Sequence, residues 1–443
     1  MRICVVGTGY VGLVSGACFA EIGHDCICVD LDVSKVERIN RGEAPIHEAG
    51  LADLLARHAG ARLRATTDLA AAVRDSDLTF IAVGTPFDGQ RIDLSQVIQA
   101  ARAIGAALRD KRDYHAVIVK STVVPGTTDD VVRPELEHAS RKRAGVDFGV
   151  GMNPEFLTEG VAVRDFMQPD RLVLGGIDER TIRLQRAVYA PFAATPVLET
   201  NNKTAEMIKY ASNAVLATLI SYSNEIANLC SALGGVDVAD VMRGVHLARY
   251  FTTRLPDGAR IPAGITSFLW AGCGYGGSCL PKDTQALAAH GAAHGAPMPL
   301  LEAVIETNRR QPARMIALLQ RHFPCLAGLR ISVLGVAFKE DTDDVRDSPA
   351  LPIVRALLQH GARVTAYDPV ARVNGQRLLP PEVTWVEELE QALAADAVLL
   401  LTRWRQFERL PALLAARADP PLVVDGRRML APASVPRYDG IGR

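Results

Sequence analysis

The chain has 443 residues, of which 48% are hydrophobic and 22% charged, and its formal net charge is −1. That length asks for two or three domains, and that balance excludes a disordered chain. Near-neutral charge gives no footing for nucleic acid or for an anionic membrane surface.

The N-terminus runs straight into RICVV with no basic stretch ahead of it, so no secretory leader is expected. Residues 3–20 are apolar enough to mimic a membrane span. They contain Gly7, Gly9, Gly12 and Gly16 and lead into Glu21, which fits a strand, a turn and a helix instead. Ile3–Val6 reads as the strand, residues 7–12 as the turn, and a helix runs to about Ile22. Gly23 stops it, and Cys26–Val29 is the next strand. Further strands are expected at Leu78–Val83, Ala116–Lys120 and Phe148–Met152, with helices between them. This alternation predicts a parallel sheet covered on both faces.

From Asn202 to Leu233 the pattern is helical for about 32 residues, roughly 48 Å. Met207, Ile208, Ala211, Val215, Leu219 and Ile226 fall near one stripe, expected to be the apolar face. Near Leu329 the opening pattern returns: RISVLG at Arg330–Gly335 echoes RICVVG, and Gly361–Asp368 echoes Gly23–Asp30. The interval from glycine to aspartate is 23 residues in the first copy and 33 in the second, so a second Rossmann-like half with a longer first loop is expected. The predicted fold is α/β: two Rossmann-like doubly wound domains joined by a long central helix and a helical dimerisation region. The predicted boundaries are 1–196, 197–312 and 313–443.

GTGYVG at Gly7–Gly12 follows a strand, opens a helix, and has Asp30 at the end of the next strand. In that context Gly7 permits the tight turn, Gly9 lets the backbone approach a pyrophosphate, and Gly12 lets the helix pack. The helix N-terminus favours the anion. A carboxylate at Asp30 should accept from the ribose hydroxyls and repel a 2′-phosphate, so NAD is expected rather than NADP. Thr85, Pro86 and Thr122 lie at strand C-terminal ends, where such sheets bind ligands.

GGSCLPKD at Gly276–Asp283 carries the reaction centre. Pro281 suits a first helical turn, which sets Cys279 just before a helix N-terminus. The helix dipole and nearby Lys282 favour a thiolate there. Gly276 and Gly277 are expected to leave room for a ligand to approach the backbone, and Asp283 lies one turn after the thiol. NPEFLTEG at Asn153–Gly160 follows a strand, and Glu155 and Glu159 would share a face if helical. Glu206, Lys209 and Asn213 share a face of the long helix. A Glu–Lys pair in a helix is usually surface decoration. Cys4, Cys18, Cys26 and Cys28 read as small buried hydrophobes. Eight cysteines without paired metal spacing fit a reducing cytosol and no metal site.

Taken with KYASNA (Lys209–Ala214), GVAFKEDTDDVRDSP (Gly335–Pro349), TRWRQF and DGRR (Asp425–Arg428), these motifs resemble the UDP-glucose/GDP-mannose dehydrogenase family over nearly the whole chain. The resemblance implies two oxidations of a nucleotide-sugar alcohol by NAD⁺, through a thiohemiacetal and a thioester on Cys279. It implies Lys209 for oxyanion stabilisation or proton transfer, Asn213 as its hydrogen-bonding neighbour, Asp283 as partner base, and Glu155 and Thr122 near the hydrolytic water. It implies cofactor contacts from Tyr10, Val11, Lys35, Glu159, Lys282 and Arg346. Substrate contacts are implied at Phe156, Leu157, Phe268, Gly276, Phe338, Lys339 and Arg427, and a homodimer in the cytosol.

One departure concerns an arginine that the family places five residues before an aromatic, reaching the neighbouring subunit's sugar. Counting back from Phe268 gives Ala263, so Arg260 or Arg254 is expected to take the role from a longer loop. UDP-glucose is the favoured substrate, because Pro169-Asp-Arg171 looks more like that branch. Another nucleoside diphosphate-hexose such as dTDP-glucose or GDP-mannose is the nearest alternative. A single-step hydroxyacid dehydrogenase and a non-enzymatic NAD sensor are the others.

Overall fold

The computed structural model describes residues 1–443. The chain divides into two compact units, Met1–Ser212 and Asn213–Arg443.

The first unit is built on eight strands: β1 (Arg2–Val6), β2 (Asp25–Val29), β3 (Leu63–Thr66), β4 (Leu78–Ile81), β5 (Ala116–Val119), β6 (Gly149–Met152), β7 (Leu172–Gly176) and β8 (Val197–Thr200). Their order in the sheet is β3-β2-β1-β4-β5-β6-β7-β8. β1 is buried at every residue after Arg2 because both faces are covered. Ile3 and Val5 point into one core layer with Leu13 and Phe19, and Cys4 and Val6 into the other with Val97 and Ile104. The strands around the nucleotide motif lie where the sequence puts them, and a helix at Tyr10–Glu21 follows β1. One pairing departs from the all-parallel expectation: β7 runs antiparallel to β6. β3 and β8 sit at the sheet's two edges, and β8 is exposed along most of its length, so neither carries a continuous apolar run to read.

The second unit holds a small antiparallel hairpin, β9 (Thr252–Arg254) with β10 (Arg260–Pro262). Its parallel sheet comprises β11 (Arg330–Leu334), β12 (Arg363–Tyr367), β13 (Thr384–Trp385), β14 (Ala397–Leu400), β15 (Leu422–Asp425) and β16 (Tyr438–Gly440). The order β13-β12-β11-β14-β15-β16 is that of a doubly wound domain. Gly335 after β11 has φ +90°, and a Cβ there would lie 2.4 Å from Thr402. Asp368 after β12 accepts from the Val336 and Ala337 N–H groups at 2.7 and 3.0 Å. The second copy thus repeats the first architecture.

The long helix spans Asn202–Leu233, but its buried face is not the predicted stripe. Met207, Ala211 and Val215 are exposed, whereas Glu206, Lys209, Tyr210, Asn213, Ala217 and Asn224 are buried. Glu206, Lys209, Asn213 and Asn224 can go inside because each finds a partner there. Of the predicted stripe, Met207, Ala211 and Val215 face outward, while Ile208 and Ile226 are partly buried against the cores. No helix of the chain is long and apolar enough to cross a membrane.

Candidate active site

The nucleotide motif forms one wall of a cleft of about 390 Å³ in the first unit. Gly7 has φ +97°, and a Cβ there would lie 2.6 Å from the Ala82 carbonyl. A Cβ on Gly12 would lie 1.9 Å from the Gly7 carbonyl oxygen, while one on Gly9 would meet nothing within 4 Å. The turn, the packing and the open approach therefore fall to three different glycines. Asp30 lies in the same cleft and accepts from the Thr8 N–H at 2.9 Å and the Asp32 N–H at 3.0 Å. Burial pushes its carboxyl up, but the Thr8 and Asp32 donors and Lys35, 3.9 Å away, hold it below the usual range. Thr85 donates to the Thr122 carbonyl at 2.8 Å, tying the loop after β4 to the loop after β5. Tyr10 and Val11 are half-buried in the helix's first turn, and Pro86 is exposed. An adenosine and pyrophosphate fit this donor set: open backbone at Gly9, helix N–H groups, and a carboxylate for ribose hydroxyls. Asp30→Ala is expected to lower kcat/KM for NAD⁺ on the order of tenfold and to narrow the preference over NADP⁺, since Lys35 then faces a 2′-phosphate without its carboxylate. Steady-state kinetics with both cofactors checks this.

Glu155 and Glu159 do not share a helical face, because the residues after β6 form an extended loop and the helix begins only at Ala162. Two N–H groups at the start of that helix, Gly160 just ahead of it and Ala162 its first residue, are taken by the buried carboxylate of Glu48 at 2.7 and 2.8 Å. Sequence reasoning missed Glu48, and no local signal marks it. Glu155 turns inward and pairs with Lys209 at 2.9 Å. Burial pushes the Glu155 carboxyl up, yet Lys209 foremost, then the Leu157 N–H and Lys120, hold it below the usual range. Phe156 stacks under the Arg171 guanidinium at 3.8 Å. Glu206 and Lys209 are therefore not surface decoration. Glu206 is wholly buried and accepts from the Gly126 and Thr128 N–H groups at 2.6 and 2.8 Å. Burial raises its carboxyl to about 7.

In the second unit Cys279 is the N-cap of the helix Leu280–Ala293, with Pro281 in its first turn. Its side chain is partly exposed, unlike Cys230 and Cys273, which are buried. One turn on, the wholly buried Asp283 accepts from Asn213 Nδ2 at 2.6 Å and from Lys282 Nζ at 2.6 Å. The loop before the thiol is held from two sides. Asn308 accepts from the Tyr275 N–H at 2.8 Å and donates to its carbonyl, Asn224 accepts from the Gly272 N–H, and Gln311 donates to the Gly272 carbonyl. These amides, Asn224 and Gln311 buried and Asn308 partly so, were not singled out from sequence, where they look like polar interruptions of apolar helix faces.

The glycines before Cys279 also meet a packing requirement of the chain itself. A Cβ on Gly276 would lie 2.3 Å from the Asp347 carbonyl oxygen, and one on Gly277 would lie 2.7 Å from the Phe338 ring. The chain itself fills that space, so a ligand could meet Gly276 only through its backbone. Arg427 spends its guanidinium on the Leu401 and Gly274 carbonyls at 2.6 and 2.9 Å. Arg346 is paired with Asp344 at 2.7 Å, and its carbonyl accepts from Gly277 N–H. Phe268 and Lys339 are partly buried. Arg254 and Arg260 stand directly opposite each other on the exposed β9–β10 hairpin.

Residues 1–193, 203–310 and 332–432 match, in turn, the NAD binding domain, the central domain and the UDP binding domain of the UDP-glucose/GDP-mannose dehydrogenase family. The chain is 45% identical to the UDP-glucose 6-dehydrogenase AglM of Haloferax volcanii, with 97% of each sequence covered. It is 37% identical to the GDP-mannose 6-dehydrogenase of Pseudomonas aeruginosa, with 90% of this chain and 91% of that one covered. Among solved structures it is similar to a UDP-glucose dehydrogenase from Pyrobaculum islandicum, at 38% identity and a TM-score of 0.90, covering 100% of this chain and 97% of that one.

Proposed function

The chain belongs to the UDP-glucose/GDP-mannose dehydrogenase family and is an NAD-dependent oxidoreductase, and from that premise we propose that it oxidises UDP-glucose twice at C6, to UDP-glucuronate, through a covalent intermediate on Cys279. The observation that carries the reading is the partly exposed thiol at a helix N-terminus, with the Asp283–Asn213 hydrogen bond one turn on. Helix N–H groups stabilise a thiolate and any oxyanion formed beside it.

Two NAD⁺ molecules, bound in turn in the cleft at Gly9 and Asp30, would each supply acceptance of one hydride from C6, the first from the alcohol and the second from the thiohemiacetal. Lys209 takes the hydroxyl proton in the first oxidation and steadies the oxyanion in the second. Cys279 attacks the aldehyde, which splits a hard oxidation into two easier steps. Asp283, oriented by Asn213 and Lys282, takes a proton from the water that cleaves the thioester, and the family resemblance assigns Glu155 and Thr122 to that water. UDP-glucose is preferred over GDP-mannose on two grounds. The chain carries Pro169-Asp-Arg171, and the Haloferax relative named for UDP-glucose is the more similar of the two compared. Initial rates of NADH formation with UDP-glucose, GDP-mannose, dTDP-glucose and UDP-N-acetyl sugars test this. UDP-glucose should give the highest kcat/KM, and a higher value for another sugar overturns the assignment.

The working unit in this reading is a cytosolic homodimer. Val215, Tyr222, Leu229 and Leu233 are 46%, 48%, 55% and 66% exposed on one helix at near-helical spacing, a stripe that suits a second copy of the same helix. Tyr222→Lys with Leu229→Lys should shift the protein from dimer to monomer in light scattering. Like charges placed opposite each other on a hairpin cost stability, so Arg254 and Arg260 fit an anionic partner, such as the partner protomer's substrate.

A further inference from the structure

Three buried charges gather in the first unit, and the reading above uses only two of them. Glu155 and Lys209 are one pair. The third is Lys120, 3% exposed, at the end of β5. Its Nζ donates to Asn153 Oδ1 at 2.8 Å and to the Tyr189 hydroxyl at 3.3 Å. Tyr189 donates to the same Asn153 oxygen at 2.5 Å. Asn153 is fixed by its Nδ2 on the Val173 carbonyl and its N–H on the Val119 carbonyl. Lys120 is thus locked to the residue two before Glu155.

Neither of its hydrogen-bond partners brings a negative charge. Burial pushes the Tyr189 hydroxyl far up, so it stays neutral. Lys120, Glu155, Asp165, Asp170 and Arg171 line one cavity of about 250 Å³. Asp170 is taken by Arg171 at 2.7 Å, and Asp165 accepts the Thr158 N–H at 3.0 Å. Glu159, partly buried, is on the same loop. Glu206, one turn before Lys209, is committed to Gly126 and Thr128. Lys209 pairs with Glu155, and Lys120 lines the same cavity as that carboxylate. Burying a second cation beside this pair costs stability. That cost needs a reason.

We propose that Lys120 is a positioning residue for proton transfer: by drawing on Glu155 it loosens that carboxylate's hold on the Lys209 ammonium, so that Lys209 gives up its proton near neutral pH. The proposal rests on Lys209 acting as acceptor of the sugar's hydroxyl proton. A carboxylate 2.9 Å away favours the ammonium and would leave no neutral amine to act as base. A second buried cation opposes that preference.

Lys120→Met should move the rising limb of the kcat–pH profile up by about one unit, lowering kcat at neutral pH about tenfold, with recovery in alkali. KM for sugar and NAD⁺ should stay within about twofold. Lys120→Arg keeps the cation and should return the limb. An unmoved limb, or a loss confined to KM, overturns the proposal. Should Lys120→Met not fold, Tyr189→Phe removes one partner of the ammonium and should move the limb the same way by less; no movement overturns it.

A substrate-independent readout separates this idea from the identity of the substrate. Burial lowers the Lys120 ammonium from 10.5 to about 8, with Glu155 opposing and Lys209 adding to the fall. The native state then binds fewer protons than the unfolded one between those values, so stability rises with pH from about 8 to 10.5. Lys120→Met should lose that rise. A double-mutant cycle of Lys120→Met with Lys209→Met in urea should give a coupling that changes across this range. Zero coupling at every pH overturns the proposal even if UDP-glucose is the substrate, and a coupling that changes with pH supports it even if another sugar is.

Discussion

Cys279→Ser is expected to lower the rate of acid release on the order of 10³-fold while leaving the fold and NAD⁺ binding intact. A serine hydroxyl at neutral pH is a far weaker nucleophile than a thiol at a helix N-terminus, and the substitution changes one atom on a partly exposed side chain. The loop that presents the residue is held by Asn224, Asn308 and Gln311 through the backbone of Gly272 and Tyr275, so the geometry should persist. NADH release followed with product mass analysis reads the result. Full turnover in the variant would favour a single-step hydroxyacid dehydrogenase, which has no use for the thiol.

Glu155→Gln is expected to cost about 3–5 kcal/mol of stability at pH 7, because it leaves buried Lys120 and Lys209 without the carboxylate they share. Urea denaturation measures it, and a difference under about 1 kcal/mol contradicts the account. The pH dependence has a definite sign. The folded Glu155 carboxyl titrates below its ordinary 4.5, so its stabilisation is present above that value and is lost as pH falls through the lower folded value. Glu155→Gln should flatten this part of the acid limb. The same substitution should move the rising limb of the kcat–pH profile to lower pH, because the Lys209 amine no longer faces a carboxylate.

The cofactor half of the site was legible because each requirement there falls on one residue type at a fixed spacing. Gly7 needs a positive φ, Gly12 has no room for a Cβ, and Asp30 ends the neighbouring strand. Cys279 at the helix N-cap was legible for the same local reason, through Pro281. What failed depended on distant contacts. The face of the long helix was assigned by hydrophobicity, yet Glu206, Lys209 and Asn213 go inside because Thr128, Glu155 and Asp283, each far away in sequence, meet them. Gly276 and Gly277 were read as open to a ligand along their backbone, and the Asp347 carbonyl and the Phe338 ring, which leave no room for a side chain there, were not legible. The helical spacing of Glu155 and Glu159 held no information, because the loop after β6 never becomes a helix before Ala162. Lys120 reads as an ordinary lysine at the end of a strand until Asn153 and Tyr189 are seen around it.

The central claim is that one thiol carries the sugar through two successive oxidations. Single-turnover reaction of the enzyme with limiting UDP-glucose and excess NAD⁺ tests it most directly, by counting NADH against sugar consumed. The account predicts two NADH and one UDP-glucuronate per UDP-glucose. One NADH per sugar, with an aldehyde or ketone as the product, would contradict it.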